Sequence, residues 1–323
     1  SGLDIGEYPD VEVVYSGDVN YAASTTTVDI NVVRAEPGLV LIIDNYTINY
    51  RENTTGLISI NENATGNISV YKWNDDDEKY EFMFNVTVEE ALNGIPLDNF
   101  NVGKHYILVK YSGNDYFTAD SDEDWFIVGQ IDPELAIDVT GDLVVDGEVN
   151  ITFTTPEDVD GIVGIVIDGV EAEFTGENGT YTVTLNNFTA GVHTVVGYII
   201  NDTNYIGLSI ITQFNVTKID PTIEFNVSGE AVADGNITVT VTLPEDITNY
   251  VLVDINGDQF FGIPEKGVFT LEGSDLDAIT YDITVTYTGD DKYNKGNATI
   301  SIVVAKASSA VEIDGPTEVD VDE

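Results

Sequence analysis

Apolar and polar residues alternate along most of this chain. Ile237, Val239, Val241 and Leu243 alternate with threonines, and Ile283, Val285 and Tyr287 alternate with Thr284 and Thr286. A period of two predicts strands with one face buried. Residues 223–227, 237–243, 251–255, 268–271, 283–287 and 299–304 are read in this way. Pro244-Glu245-Asp246 separates the second from the third, and Asn256-Gly257, a strong hairpin dipeptide, follows the third. Residues 88–92 are expected to form at most a turn, and no amphipathic helix is predicted. Val13, Tyr15, Val239, Val241, Ile283, Val285 and Tyr287 are expected to face the core.

The stretch Tyr281–Tyr293 recurs as residues 11–21, 105–116 and 193–205. Its closing tyrosines Tyr21, Tyr116, Tyr205 and Tyr293 are spaced 95, 89 and 88 residues apart. A repeat near that length corresponds to one whole sandwich-sized domain rather than a solenoid unit. The pattern divides the chain into five segments. Residues 1–34 supply the last strands of a preceding repeat. Three complete repeats follow, 35–130 (the most divergent), 131–218 and 219–306. Residues 307–323 supply the first strand of a following one, with 310–313 and 319–321 as its strand and the lead into the next. The junctions are short and carry proline rather than a Gly/Ser tether, which implies a semi-rigid elongated rod. The predicted fold class is therefore all-β, tandem immunoglobulin-like β-sandwiches in such a rod.

Composition narrows the function classes. The chain carries 58 acidic against 11 basic residues, a net charge of −47. This excludes nucleic acid as a partner, because that affinity rests on Lys and Arg meeting phosphates. Hydrophobic content of 42% is enough to build cores. There is no cysteine, so disulfides are impossible. No apolar run is long enough to span a membrane.

The TLPED-like turn, the DING-like hairpin and the TYTGDDKYN-like strand pair resemble the Ig-like repeats of archaeal, methanogen-type adhesin-like surface proteins, and the related bacterial Ig-like domains. The resemblance covers 131–306 and, more loosely, 35–130. It implies a secreted, extracellular, cell-surface protein without catalytic residues.

Three groups of residues are candidates for chemistry. His105, His193 and Tyr281 align, each five residues after Phe100, Phe188 and Leu276, and match the tyrosine corner of Ig sandwiches. Asp120, Asp122 and Asp124 have the alternating spacing of a calcium loop. They also fall in register with Thr25, Thr27 and Asp29, the polar face of a last strand, where solvation alone explains them. Asn-x-Ser/Thr sequons begin at 13 positions, where composition alone gives about four. Asn45, Asn53, Asn63, Asn67, Asn85, Asn178, Asn187, Asn201 and Asn297 are the glycosylation candidates. Trp73 and Trp125 are expected in or near the core, with sugar stacking by Tyr116, Phe117 or Trp125 as the alternative.

The functional expectation is a non-enzymatic stalk or spacer of an adhesin-like protein supporting attachment or cell-cell contact, with no cofactor beyond calcium at the acidic site. Its partners would be adjacent repeats in the chain and a cell-surface ligand. Two alternatives stand beside it. One is a filament subunit joined head to tail with other copies by strand exchange; the other is a carbohydrate-binding Ig-like module.

Overall fold

The computed structural model describes residues 2–315 and is almost entirely β-strand. It divides into two compact units. Among the described residues the first comprises 2–134, 155–163 and 198–209, and the second 135–154, 164–197 and 210–315.

In the first unit β1 (Gly6–Tyr15) and β2 (Ser24–Val32) form a two-stranded antiparallel sheet, with a register shift between Tyr8 and Val11. Then come β3 (Val40–Ile43), β4 (Thr47–Asn49), β5 (Thr54–Ser59), β6 (Asn67–Asn74), β7 (Lys79–Thr87), α1 (Val88–Ala91), β8 (Ile95–Leu97), β9 (Gly103–Tyr111) and β10 (Asp120–Gly129). They make a three-stranded sheet, β3-β5-β8, and a five-stranded sheet, β4-β10-β9-β6-β7. β4 pairs parallel to β10 while β3 pairs with β5, so the segment 40–49 serves both sheets in turn. Ile43, Ile68, Val70, Leu97, Ile107 and Phe126 lie at the centre of the enclosed core. Fully burying such a side chain contributes about 1.5–3 kcal/mol.

The strands that follow along the chain are β11 (Ala136–Gly141), β12 (Val149–Thr154), β13 (Ile162–Ile167), β14 (Val170–Glu171), β15 (Thr175–Glu177), β16 (Thr180–Leu185), β17 (Gly191–Ile200) and β18 (Leu208–Val216). Their sheets run β11-β12-β16-β15 and β14-β13-β17-β18. The remaining strands are β19 (Glu224–Gly229), β20 (Ile237–Thr242), β21 (Val251–Ile255), β22 (Asp258–Gly262), β23 (Val268–Gly273), β24 (Thr280–Tyr287) and β25 (Gly296–Val303). These form β19-β20-β23 and β22-β21-β24-β25 around Val239, Val241, Val251, Val253, Val285 and Tyr287. Asn256 and Gly257 make the two-residue loop between Ile255 and Asp258, both at positive φ (51° and 102°). That is the hairpin turn their sequence calls for.

Several expectations change. Val13 and Tyr15 are 52% and 45% exposed, because β1 and β2 form a sheet of their own and no described residue covers that face. Residues 88–91 form one full helical turn, where only a turn was expected. A reciprocal capping box makes it possible: Thr87 accepts from the Glu90 N–H, and Glu90 accepts from the Thr87 N–H. Residues 310–313 take no strand, and the expected continuation at 319–321 lies outside the described residues.

The cores differ in how they fill one position. A Cβ added at Gly197 would lie 2.5 Å from Phe153 Cδ2. Eighty-eight residues further on, the corresponding pair is Val285 and Val241, both fully buried. Large-plus-absent thus replaces medium-plus-medium at similar total volume. Gly197→Ala is expected to lower stability by about 1–3 kcal/mol. Phe153→Val combined with Gly197→Val should recover most of it in urea denaturation. Equal losses in the single and double variants would refute the volume exchange.

Candidate functional site

The recurring stretch folds as a turn closed by one acidic or amide side chain. Asp290 Oδ1 accepts the N–H groups of Lys292 and Tyr293 at 2.9 and 2.7 Å. Asp202 does the same for Asn204 and Tyr205, Asn114 for Tyr116 and Phe117, and Asp18 for Asn20 and Tyr21. The structural partner of Tyr205 and Tyr293 is therefore Phe117, not Tyr116. Counted through Asn114, Asp202 and Asp290 the interval is 88 residues both times. Phe117, Tyr205 and Tyr293 are all buried, while Tyr116 is 68% exposed.

The second carboxylate oxygen ties the turn to a distant loop. Asp202 Oδ2 accepts from the N–H groups of Asp160 and Gly161, and Asp290 Oδ2 from Thr248 and from the Tyr287 hydroxyl. Burial alone would raise the Asp290 pKa. The Tyr287 hydroxyl and three backbone N–H groups outweigh it and hold this carboxyl far below the usual range.

The incoming chain then docks on the same turn. Ala35, Ile131 and Ile219 make isolated parallel bridges with Phe117, Tyr205 and Tyr293. The Ile131 N–H donates to the Asn204 carbonyl, and the Ile131 carbonyl accepts from Ile206. Ile219 repeats this with Lys292 and Asn294. The preceding side chain adds to it. The Gln130 amide donates to the carbonyls of Asp202, Thr203 and Tyr205, and the Lys218 ammonium donates to that of Asp290.

A further pair of aspartates was missed from sequence. Asp158 accepts from the hydroxyls of Tyr205 and Tyr50, both at 2.7 Å, and from Arg51 at 2.9 Å. Asp246 accepts from the Tyr293 hydroxyl at 2.7 Å and from Lys292 at 2.5 Å, and Lys292 also meets Asp146 at 2.6 Å. Burial opposes ionisation of Asp158, but the two hydroxyls and the guanidinium still hold its pKa low. Asp246 is held low first by Lys292 and then by Tyr293. The signal was present as a constant separation, 47 residues from each aspartate to its tyrosine.

The aligned corner residues each reach back four positions. His105 Nε2 meets the Asn101 carbonyl and His193 Nε2 the Thr189 carbonyl, both at 2.7 Å, while the Tyr281 hydroxyl accepts from the Asp277 N–H. His193 Nδ1 also meets Asp168 at 2.7 Å. Both of its ring nitrogens face acceptors, so the imidazolium form suits the site. Burial disfavours that charge, yet Asp168 and the Thr189 carbonyl raise the His193 pKa.

Asp120, Asp122 and Asp124 do not lie on a solvated face. They are half-buried, while Ser121, Glu123 and Trp125 between them are exposed. Their Oδ2 atoms accept the N–H groups of Leu39, Leu41 and Ile43 at 3.0, 2.8 and 3.0 Å. The alternation of β10 thus matches the N–H groups of residues 39–43, joining β10 of one sheet to the β3 edge of the other through side chains. Among the described residues no group of three or more His, Asp or Glu side chains is arranged to hold a metal ion. Trp125 is 36% exposed, against Tyr46 and Lys104, and so lies outside the core. Trp73 is half-buried and donates to Asp75. The asparagines at 45, 53, 63, 67, 85, 178, 187, 201 and 297 are all exposed, with Asn178 and Asn201 in left-handed turn conformations.

No known family description matches the sequence, and no curated protein matches it. Solved structures of similar fold include fibronectin(III)-like modules of Clostridium thermocellum CbhA, at 15% identity over 57% of this chain and all of that one, with a TM-score of 0.24. A three-domain immunoglobulin segment of titin is 12% identical over 85% of this chain and all of its own, with a TM-score of 0.33. A putative membrane anchored protein from Corynebacterium diphtheriae is 11% identical over 98% and 99%, with a TM-score of 0.27.

The titrating groups set opposite pH limits. Asp158, Asp246 and Asp290 have lowered pKa values, so their stabilisation is present above the unfolded carboxylate range and lost as pH falls below about 4. His193 is raised, so its contribution is full below about pH 6.5 and lost as pH rises through its folded pKa. Urea midpoints should therefore fall toward acid in the parent protein. Asp290→Ala should lose about 1–3 kcal/mol at neutral pH and show a flatter acid limb. An acid limb unchanged by this substitution would contradict the assignment.

Proposed function

We propose that residues 35–130, 131–218 and 219–306 are three immunoglobulin-type domains in series. Together they act as a non-enzymatic mechanical spacer of a secreted, cell-surface adhesin-like protein. The observation carrying this reading is the docking of Ala35, Ile131 and Ile219 on Phe117, Tyr205 and Tyr293. Each junction residue is hydrogen-bonded into the turn of the segment that follows it, so tension along the chain is received by a β-bridge rather than a loose tether.

Other features support the same role. The two histidines are engaged as corner residues, with their Nε2 atoms on backbone carbonyls. The net charge of −47 keeps neighbouring copies apart and suits an ion-rich exterior. The exposed sequons fit an extracellular surface, with Asn178 and Asn201 the best presented. Peptide mass spectrometry of protein from its native source should find glycans at those two positions; unmodified peptides there would remove the glycan part of the reading.

Pulling single molecules from both ends tests the spacer directly. Three unfolding events are expected, each releasing roughly 30 nm of chain, for segments of 96, 88 and 88 residues. One event for the whole chain, or increments that do not fit that length, would reject three domains in series.

A further inference from the structure

A cleft opens at the corner of each sandwich, beside the residue at the histidine position, and its chemistry changes from one to the next. In the third it is only about 100 Å³ and lined mainly by Ile255, Leu271, Leu276 and Tyr281. In the second it is about 590 Å³ with a largely apolar floor including Ile167, Val183 and Leu185. In the first it is about 490 Å³, and its lining combines one tryptophan with a dense set of polar groups.

That first cleft lies between the β6–β7 hairpin turn and the loop leading into β9. Trp73 lines it, half-buried and fixed in orientation. Its Nε1 donates to Asp75 at 2.9 Å, and its ring packs edge-on to Tyr80 at 5.1 Å. Around it stand groups with unused hydrogen-bonding capacity. The Asp76 and Glu81 carboxylates, the Asn101 Nδ2 amide and the second ring nitrogen of His105 have no partner among the described residues. Acceptors and donors are both present. Lys72 stands with Asp75, Asp76 and Glu81 in the lining, while the Lys104 ammonium lies over the Trp125 and Tyr106 rings outside it, so the cleft keeps an acidic balance that turns anions away.

We propose that this cleft binds a neutral pyranose sugar. A pyranose offers an apolar C–H face to the indole and a rim of hydroxyls that both donate and accept. The volume lies in the range of pre-formed ligand sites. A bare cation would find no use for the tryptophan or the amide donor, and a strongly acidic ligand would meet three carboxylates. This site goes beyond the spacer role and does not depend on it. It also moves sugar contact away from Tyr116 and Phe117, since Phe117 is 7% exposed and closes a turn.

Trp125→Phe leaves Trp73 as the only tryptophan, so indole emission reports on the cleft alone. This variant of the full chain is titrated with cellopentaose, mannopentaose and chitopentaose. A saturable emission change with at least one of them is expected. Adding Glu81→Gln should weaken it about tenfold, as for the loss of one charged acceptor, with the melting temperature unchanged. No saturable change with any of the three overturns the proposal. So does a change that survives Glu81→Gln and Asp76→Asn at full affinity, or one that calcium chloride alone reproduces.

Discussion

One side-chain oxygen closes each recurring turn, and where it belongs to a carboxylate, as in Asp202 and Asp290, the second oxygen ties the turn to a distant loop. Asp202 and Asp290 each accept four or more hydrogen bonds, from their own turn on one oxygen and from a loop some 40 residues earlier on the other. Hydrogen bonds to an ionised acceptor are stronger than neutral ones, each contributing about 1.5–3 kcal/mol. A turn fixed in this way presents the backbone of residues 204–206 and 292–294 as a ready strand edge. Ile131 and Ile219 dock on those edges, so the geometry of the junction follows from the chemistry of the turn.

The same economy explains how so acidic a chain folds without cysteine. Its carboxylates are deployed as backbone acceptors and not merely as surface charge. Asp120, Asp122 and Asp124 take the N–H groups of one β3 edge, where a strand would otherwise be needed. Asp158 and Asp246 gather tyrosine hydroxyls and one cation each. Repulsion among carboxylates is offset locally by N–H and O–H donors, and few Lys or Arg side chains are required.

Strand content was legible because alternation over residues 237–242 and 280–287 reports directly on a half-buried sheet. The Asn256-Gly257 turn was legible because only a few dipeptides tolerate two positive φ angles. Burial of Val13 and Tyr15 was not, since a period of two says which residues share a face and not whether anything covers it. Matching Tyr116 to Tyr205 failed by one residue: aromatic identity guided the register, whereas the Asn114 turn sets it through backbone N–H groups. The role of Asp120, Asp122 and Asp124 was hidden for a related reason. Their partners are main-chain atoms 81 residues away, which no side-chain pattern advertises. The first cleft was foreshadowed only by the divergence of residues 73–77 from the later hairpins.

The account rests on docked junctions, and amide hydrogen exchange followed by NMR interrogates them residue by residue. The N–H groups of Ile131, Ile206, Ile219 and Asn294 should exchange as slowly as those of Val239 and Val285, because opening them requires the adjoining sandwich to open. Exchange at those four positions as fast as in exposed loop residues would mean that the linkers are free of the turns and that the central claim is wrong.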